Sequence, residues 1–177
     1  EIPVNTFTEQ ALAPFSASTV DEVRIGDEFD NEVVLVRSGK QWRLPELEQV
    51  PADPAKVDAL LKSVIHQTAS WPVARSTAAQ QRFQVAEDYY QKRLTLWSQG
   101  KNLGTIYLGT TPGFRKVYAR NVKQSAIYSI TLDALQSSAL SADWLDSGLL
   151  QVLTPLRIDA DLYNLYFDNG VWRSGTG

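Results

Sequence analysis

The chain has 177 residues, of which 44% are hydrophobic and 21% charged, and it carries a formal net charge of −3 with a pI near 5.2. These are the proportions of a globular domain with a real core, and the acidic balance argues against nucleic acid, whose phosphates need a basic surface. The lack of cysteine excludes disulfides, thiolate nucleophiles and cysteine-held zinc or iron–sulfur clusters, the single histidine leaves any metal site dependent on carboxylates, and no run approaches the ~20 apolar residues of a membrane span.

Residues 1–20, EIPVNTFTEQALAPFSASTV, hold two prolines and many small polar residues and read as an extended lead-in. VDEVRI and EVVLVR, joined by GDEFDN, read as a β-hairpin with an Asp-Asn turn, followed by a short strand, QWRL. Asp53 before Pro54 marks a helix start, since the carboxylate satisfies a free amide and the proline presets φ. Val57, Leu60, Leu61, Val64, Ile65 and Thr68 then follow i, i+3, i+4 spacing. That spacing predicts an amphipathic helix over 54–68, ending before Trp71-Pro72. Within 73–90, VARSTAAQQRF suits a helical turn and RFQVA a short strand.

From residue 92 the period becomes two. KRLTLWS, LGTIYLG, RKVYAR and AIYSIT, separated by SQGKN, TTPGF and NVKQS, predict a four-stranded antiparallel meander. LDALQSSAL and SADWLDSGLL read as short helical pieces, the first capped by Asp133 or Thr131 and the second by Ser141. NGVWR at 169–173 echoes GKQWR at 39–43, and each follows a β-rich run. The echo points to a second copy of the opening hairpin starting near Arg157. The fold class expected is therefore α+β: an antiparallel β-meander sheet of about five to seven strands with one main amphipathic helix packed on a face. The expected organisation is a lead-in over 1–20, an α+β module over 21–153, and a C-terminal strand segment over 154–177 that begins a second repeat.

YLGTTPGFRKVYAR, residues 107–120, is the stretch that most resembles a site. A P-loop needs four residues between its glycines and then Lys-Ser or Lys-Thr at a helix start. Here three residues separate Gly109 from Gly113, Arg115-Lys116 precedes Val117, and the following residues alternate like a strand. The plainer reading is a type II turn with Pro112 at its second position and Gly113 at its third. An anion site made by Gly109, Gly113, Arg115 and Lys116 is the alternative. Alternation puts Lys116, Tyr118 and Arg120 on one strand face, which reads as a solvated outer face rather than a nucleic-acid platform. His66 falls opposite Val57, on the polar side of the helix. No G-x-S-x-G elbow accompanies it, so no serine triad is expected. Asp27, Glu28, Asp30 and Glu32 lack EF-hand spacing and read as a soluble hairpin tip. The tryptophans at 42, 71, 97, 144 and 172 read mainly as core.

GKQWRLPEL, PADPAKVDALL, WPVA with RFQVA, YLGTTPGFRKVYARN and ADWLDSGLL together cover roughly residues 21–153 and resemble the bacterial domain-of-unknown-function 4340 family. The resemblance implies repeated α+β modules held outside the cytoplasmic membrane by one N-terminal helix, some of them linked to ABC-type transport components of the gliding-motility kind. It implies no catalytic residues, cofactor or metal. The chain opens on Glu1 with neither an initiator methionine nor a signal peptide, so an anchor upstream is part of this expectation. Absence of cysteine suits cytoplasm and bacterial periplasm alike. The expected function is a non-catalytic, periplasmic or otherwise extracytoplasmic protein-interaction module of the bacterial envelope, accessory to a transporter assembly. Its partner would be an envelope or transporter-associated protein, with no nucleic acid and membrane contact only through the anchor. The alternative is a small-ligand or anion-binding domain using the 109–116 loop.

Overall fold

Apolar residues on alternate positions need a dry face to cover, and here they build one sheet from two meanders. The computed structural model of the protein describes residues 12–65, 71–150, 157–160, 163–168 and 171–175. The first meander comprises β1 (Glu22–Asp27), β2 (Glu32–Ser38), β3 (Gln41–Leu44) and β4 (Val50–Pro51). The second comprises β5 (Lys92–Ser98), β6 (Lys101–Leu108), β7 (Lys116–Asn121) and β8 (Tyr128–Thr131). Between them run helices α1 (Pro54–Ile65) and α2 (Thr77–Arg82). β1 pairs with β5, so the strand order is β4-β3-β2-β1-β5-β6-β7-β8, antiparallel throughout. The fold is α+β, as the residue patterns predict. The sheet is one strand wider than the widest expected, because β4 is two residues long and ends on a proline, too short to carry a period.

Turn chemistry sets the registers. Asp27 Oδ1 accepts from the amides of Phe29 (2.9 Å) and Asn31 (3.0 Å), closing the β1–β2 turn. Asp30 there adopts φ 62°, which Asp tolerates better than most residues. Gln99 and Gly100, both at positive φ, form the two-residue β5–β6 turn, the type I′ geometry that matches strand twist.

α1 begins as its sequence dictates, with Asp53 Oδ1 accepting from Ala55 N at 2.9 Å. Its Val57, Leu60, Leu61 and Val64 are buried against Val23, Ile25, Leu35 and Leu94 of the sheet in one cluster, and Ile65 packs at its margin. Thr68 and His66 lie outside the described residues. Leu12, Ala13 and Val20 are buried in the same cluster and Phe15 and Ala17 pack against it, so the stretch expected as a lead-in contributes to the core. Among the described residues three short 3-10 turns follow β8, Ala134–Ser137, Ser141–Trp144 and Ser147–Leu150. Ala134–Ser137 is capped by Asp133, with Gln136 completing a capping box. Ser141–Trp144 is not capped by Ser141 as expected: Leu140 holds the cap position, and Ser141 lies inside the turn with its hydroxyl bonded to Glu46.

The second face of the sheet is not a bare solvated surface. Residues 71–91 fold back over it through an Ala74–Ile127 bridge, α2 and a Val85–Tyr90 bridge. Phe83 stacks on Tyr118 at 4.1 Å, and Val85, Tyr107 and Ile127 form a smaller core. The expectation of a solvated face for Tyr118 and Arg120 is thereby corrected. Arg120 is only 6% exposed and donates to the carbonyls of Val85 (2.8 Å) and Gln124 (3.0 Å). Only Lys116 on that side stays exposed.

Residues up to Leu145 form one compact unit and Asp146–Gly177 a second. The second holds a three-stranded antiparallel sheet of β9 (Arg157–Ala160), β10 (Tyr163–Asp168) and β11 (Val171–Gly175), in the order β11-β10-β9. β3-β2-β1 has the same sequence of pairings. In both hairpins the tryptophan sits opposite the fifth residue before it, Trp42 against Arg37 and Trp172 against Phe167. The echo of GKQWR in NGVWR is thus matched by the same local register.

Candidate functional site

The 107–120 stretch ends one strand, turns and begins another. β6 stops at Leu108, where Gly109 passes directly beneath the backbone of Phe83 and Gln84. Thr110 N donates to Phe83 O at 2.9 Å, and Gly109 N to Tyr118 O at 2.9 Å. The chain then reverses through a turn closed by Lys116 N donating to Gly113 O at 3.2 Å. Its left-handed residue is Arg115, at φ 51°, and not Gly113. The turn expected at Pro112-Gly113 is therefore displaced, with Gly113 as its first residue and Arg115 as its third. β7 follows at Lys116, so no helix dipole faces the loop, and the P-loop comparison fails on geometry as well as on spacing.

Gly109, Gly113, Arg115 and Lys116 line a single groove of about 420 Å³. Its other charged lining residues are Lys92, at the start of β5, and Asp133, just after β8. Three cations thus face one carboxylate in a chain whose overall charge is negative. Asp133 is already engaged. It caps the following 3-10 turn through Leu135 N (3.1 Å) and lies 3.6 Å from Arg115 Nε. Both partners of that pair are well exposed, so the pair adds little stability but orients the guanidinium. The Lys92 ammonium bonds Ser137 Oγ at 3.3 Å. Burial pushes its pKa below the ordinary lysine value, and the carboxylates of Asp27 and Asp143 only partly oppose that. Leu108, Val117 and Leu132 supply apolar wall.

The rim is unusual for a monomer surface. Phe114 is 87% exposed, with the Arg115 guanidinium 5.1 Å from its ring centre. Leu135, 75% exposed, shares a neighbouring cavity with Arg115 and Asp133. Sequence reading named the loop residues but missed Lys92, Asp133 and Phe114. Lys92 and Asp133 join the loop through the registers of the β5–β6 and β7–β8 pairs, which set Lys92 opposite Leu108 and Thr131 opposite Lys116; alternation predicts the strands but not those registers. Phe114 stands in the sequence as an aromatic interleaved with Arg115 and Lys116, and its exposure makes it part of the rim.

The remaining candidates separate. Asp27 is tied into its own turn, and Glu32 pairs loosely with Arg93 at 3.7 Å. Among the described residues no group of three or more His, Cys, Asp or Glu side chains is placed to hold a metal ion. Trp42 and Trp144 are buried, while Trp71 is 74% exposed. No described helix is long and apolar enough to cross a membrane.

Fold and groove together define a small α+β module with a cationic recess at the β6–β7 reversal. The family model named Domain of unknown function (DUF4340) matches residues 42–157, well over half of the chain. The chain belongs to that family, and the match spans the helix, the second meander and the groove. No curated protein and no solved structure matches it.

Proposed function

We propose that the chain is a non-catalytic module that holds another protein of the bacterial envelope, outside the cytoplasmic membrane, as an accessory to a transporter assembly. The observation that carries this reading is the rim of the groove. Phe114 and Leu135 expose most of their apolar surface beside Arg115. An exposed aromatic beside an arginine is a pairing enriched at protein interfaces, and the exposed leucine widens the apolar patch around the recess. The compartment and the transporter follow from family resemblance alone. Affinity capture from detergent-solubilised envelope membranes tests the reading. The wild-type chain should retain a discrete membrane protein, and Phe114→Asp or Leu135→Asp should lose it by about tenfold or more, as removal of a hot-spot anchor does. Recovery of the same proteins by all three chains would contradict it.

A second reading has its own observation. The excess of Lys92, Arg115 and Lys116 over Asp133 suits a small anionic ligand in the groove. Thermal-shift screening against phosphate, nucleotides and acidic sugars addresses it. A shift abolished by Lys116→Glu supports a small-ligand site, and no shift across the panel removes it.

A further inference from the structure

The charged side chains of the groove start from separated backbone positions. Lys92 opens β5 and pairs with Leu108 of β6, which pairs in turn with Ala119 of β7. Lys92 and the β7 backbone are therefore about 10 Å apart across two ladders, and Lys116 lies roughly a further 10 Å along β7. Backbone origins that far apart suit two separated carboxylates better than one phosphate, whose oxygens gather at a point. An extended peptide supplies them, because alternate side chains on one of its faces recur about every 7 Å.

We propose that the groove under the 109–116 loop receives an acidic, extended segment of the partner protein, its carboxylates meeting Lys116, Arg115 and Lys92 and an apolar side chain between them covering Phe114. This rests on the protein-binding reading above and gives the partner its chemistry. The apolar walls at Leu108, Val117 and Leu132 suit the intervening side chain, and the charge balance suits the carboxylates. Arg115 is held at a left-handed φ that only a few per cent of non-glycine residues adopt. The turn sets that backbone, and Asp133 at 3.6 Å and the Phe114 ring at 5.1 Å orient the guanidinium before any ligand arrives. Burial already disfavours the Lys92 ammonium, and an incoming carboxylate offsets that cost.

The test uses the full 177-residue chain and a fluorescein-labelled probe peptide in which two glutamates flank one phenylalanine in a Gly-Ser context. Anisotropy should show saturable binding that weakens with added salt and falls about tenfold or more in Lys116→Glu. Lys101→Glu makes the same charge change at the first residue of β6, away from the groove, and should leave binding within about twofold. Amide shifts on binding should centre on Leu108–Val117. A lysine-for-glutamate peptide should not bind. If inorganic phosphate or glutarate displaces the peptide at equal concentration, the site is for a free anion and the peptide assignment fails. The proposal also fails if the probe does not bind, or binds Lys116→Glu as well as wild type. Neither failure touches the loss of membrane-protein capture in Phe114→Asp, so this inference and the reading beneath it fall separately.

Discussion

Gly109 and Gly113 look alike in the sequence and do different things in the fold. A Cβ on Gly109 would overlap the Phe83 carbonyl oxygen and come within 2.6 Å of the Gln84 carbonyl and 2.8 Å of Val85 Cγ1. Two of those obstacles are backbone and cannot swing aside. Gly109→Ala should therefore lower unfolding stability in urea by about 1–3 kcal/mol, as overpacking does. At Gly113 a Cβ meets nothing within 4 Å and φ is not positive, so Gly113→Ala should stay within about 0.5 kcal/mol of wild type. The reverse ranking would mean that the reversal is built around Gly113 after all. No local pattern could separate these two glycines, because the obstacle comes from residues 83–85. Asp27 carries a pH dependence at the same scale. Burial, the largest single influence, raises its pKa, but the Asn31 side chain, the amides of Phe29 and Asn31 and the Lys92 charge together overcome this and hold it below its ordinary value of 3.8. A carboxyl depressed on folding stabilises above its unfolded pKa, and that stability is lost as pH falls through the folded one. Asp27→Ala should therefore cost stability near pH 7 and little near pH 2. An equal loss at both would assign the effect to turn packing instead of charge.

The two helices differ in how far their sequences announce them. α1 was legible because a capped start and a twelve-residue element let the 3.6 period show. Val64 is fully buried in its stripe, and Val64→Asp puts an unpaired charge there. Thermal and urea unfolding should register a loss of about 3–5 kcal/mol, and a variant that melts like wild type would mean the helix face is misassigned. α2 was legible only as a helical turn within residues 73–83, since six residues give barely two turns and its stability comes from tertiary contacts. Those contacts are the Phe83–Tyr118 stack and the Arg120 bonds to the Val85 and Gln124 carbonyls. Arg120→Met keeps the stem and removes the donors, leaving buried carbonyls short of partners at about 1–3 kcal/mol. Hydrogen exchange should quicken first over residues 83–91. Uniform quickening of the whole sheet would show that the second core is not a separable layer.

At the scale of the whole sheet, each meander could be read from turn residues and alternation, while their junction could not. β1 joins β5 across all of α1 and α2, and pairing between segments so distant leaves no periodic trace. The recess comes instead from registers inside the second meander, which set Lys92 opposite Leu108 and Lys116 opposite Thr131; alternation fixes no register, so four of its residues were picked out without Lys92 and Asp133. A cationic recess edged by Phe114 and Leu135, on a scaffold covered by helix on one face and by residues 71–91 on the other, is the feature that this account assigns to partner binding. Site-specific photo-crosslinking tests it most directly, with a benzoylphenylalanine at position 114 or, as control, at Phe29 on the β1–β2 turn, which is 76% exposed. In intact envelopes the account predicts one discrete protein adduct from position 114, weakened by Lys116→Glu, and none from position 29. No adduct at 114, or the same adducts from both positions, would contradict it.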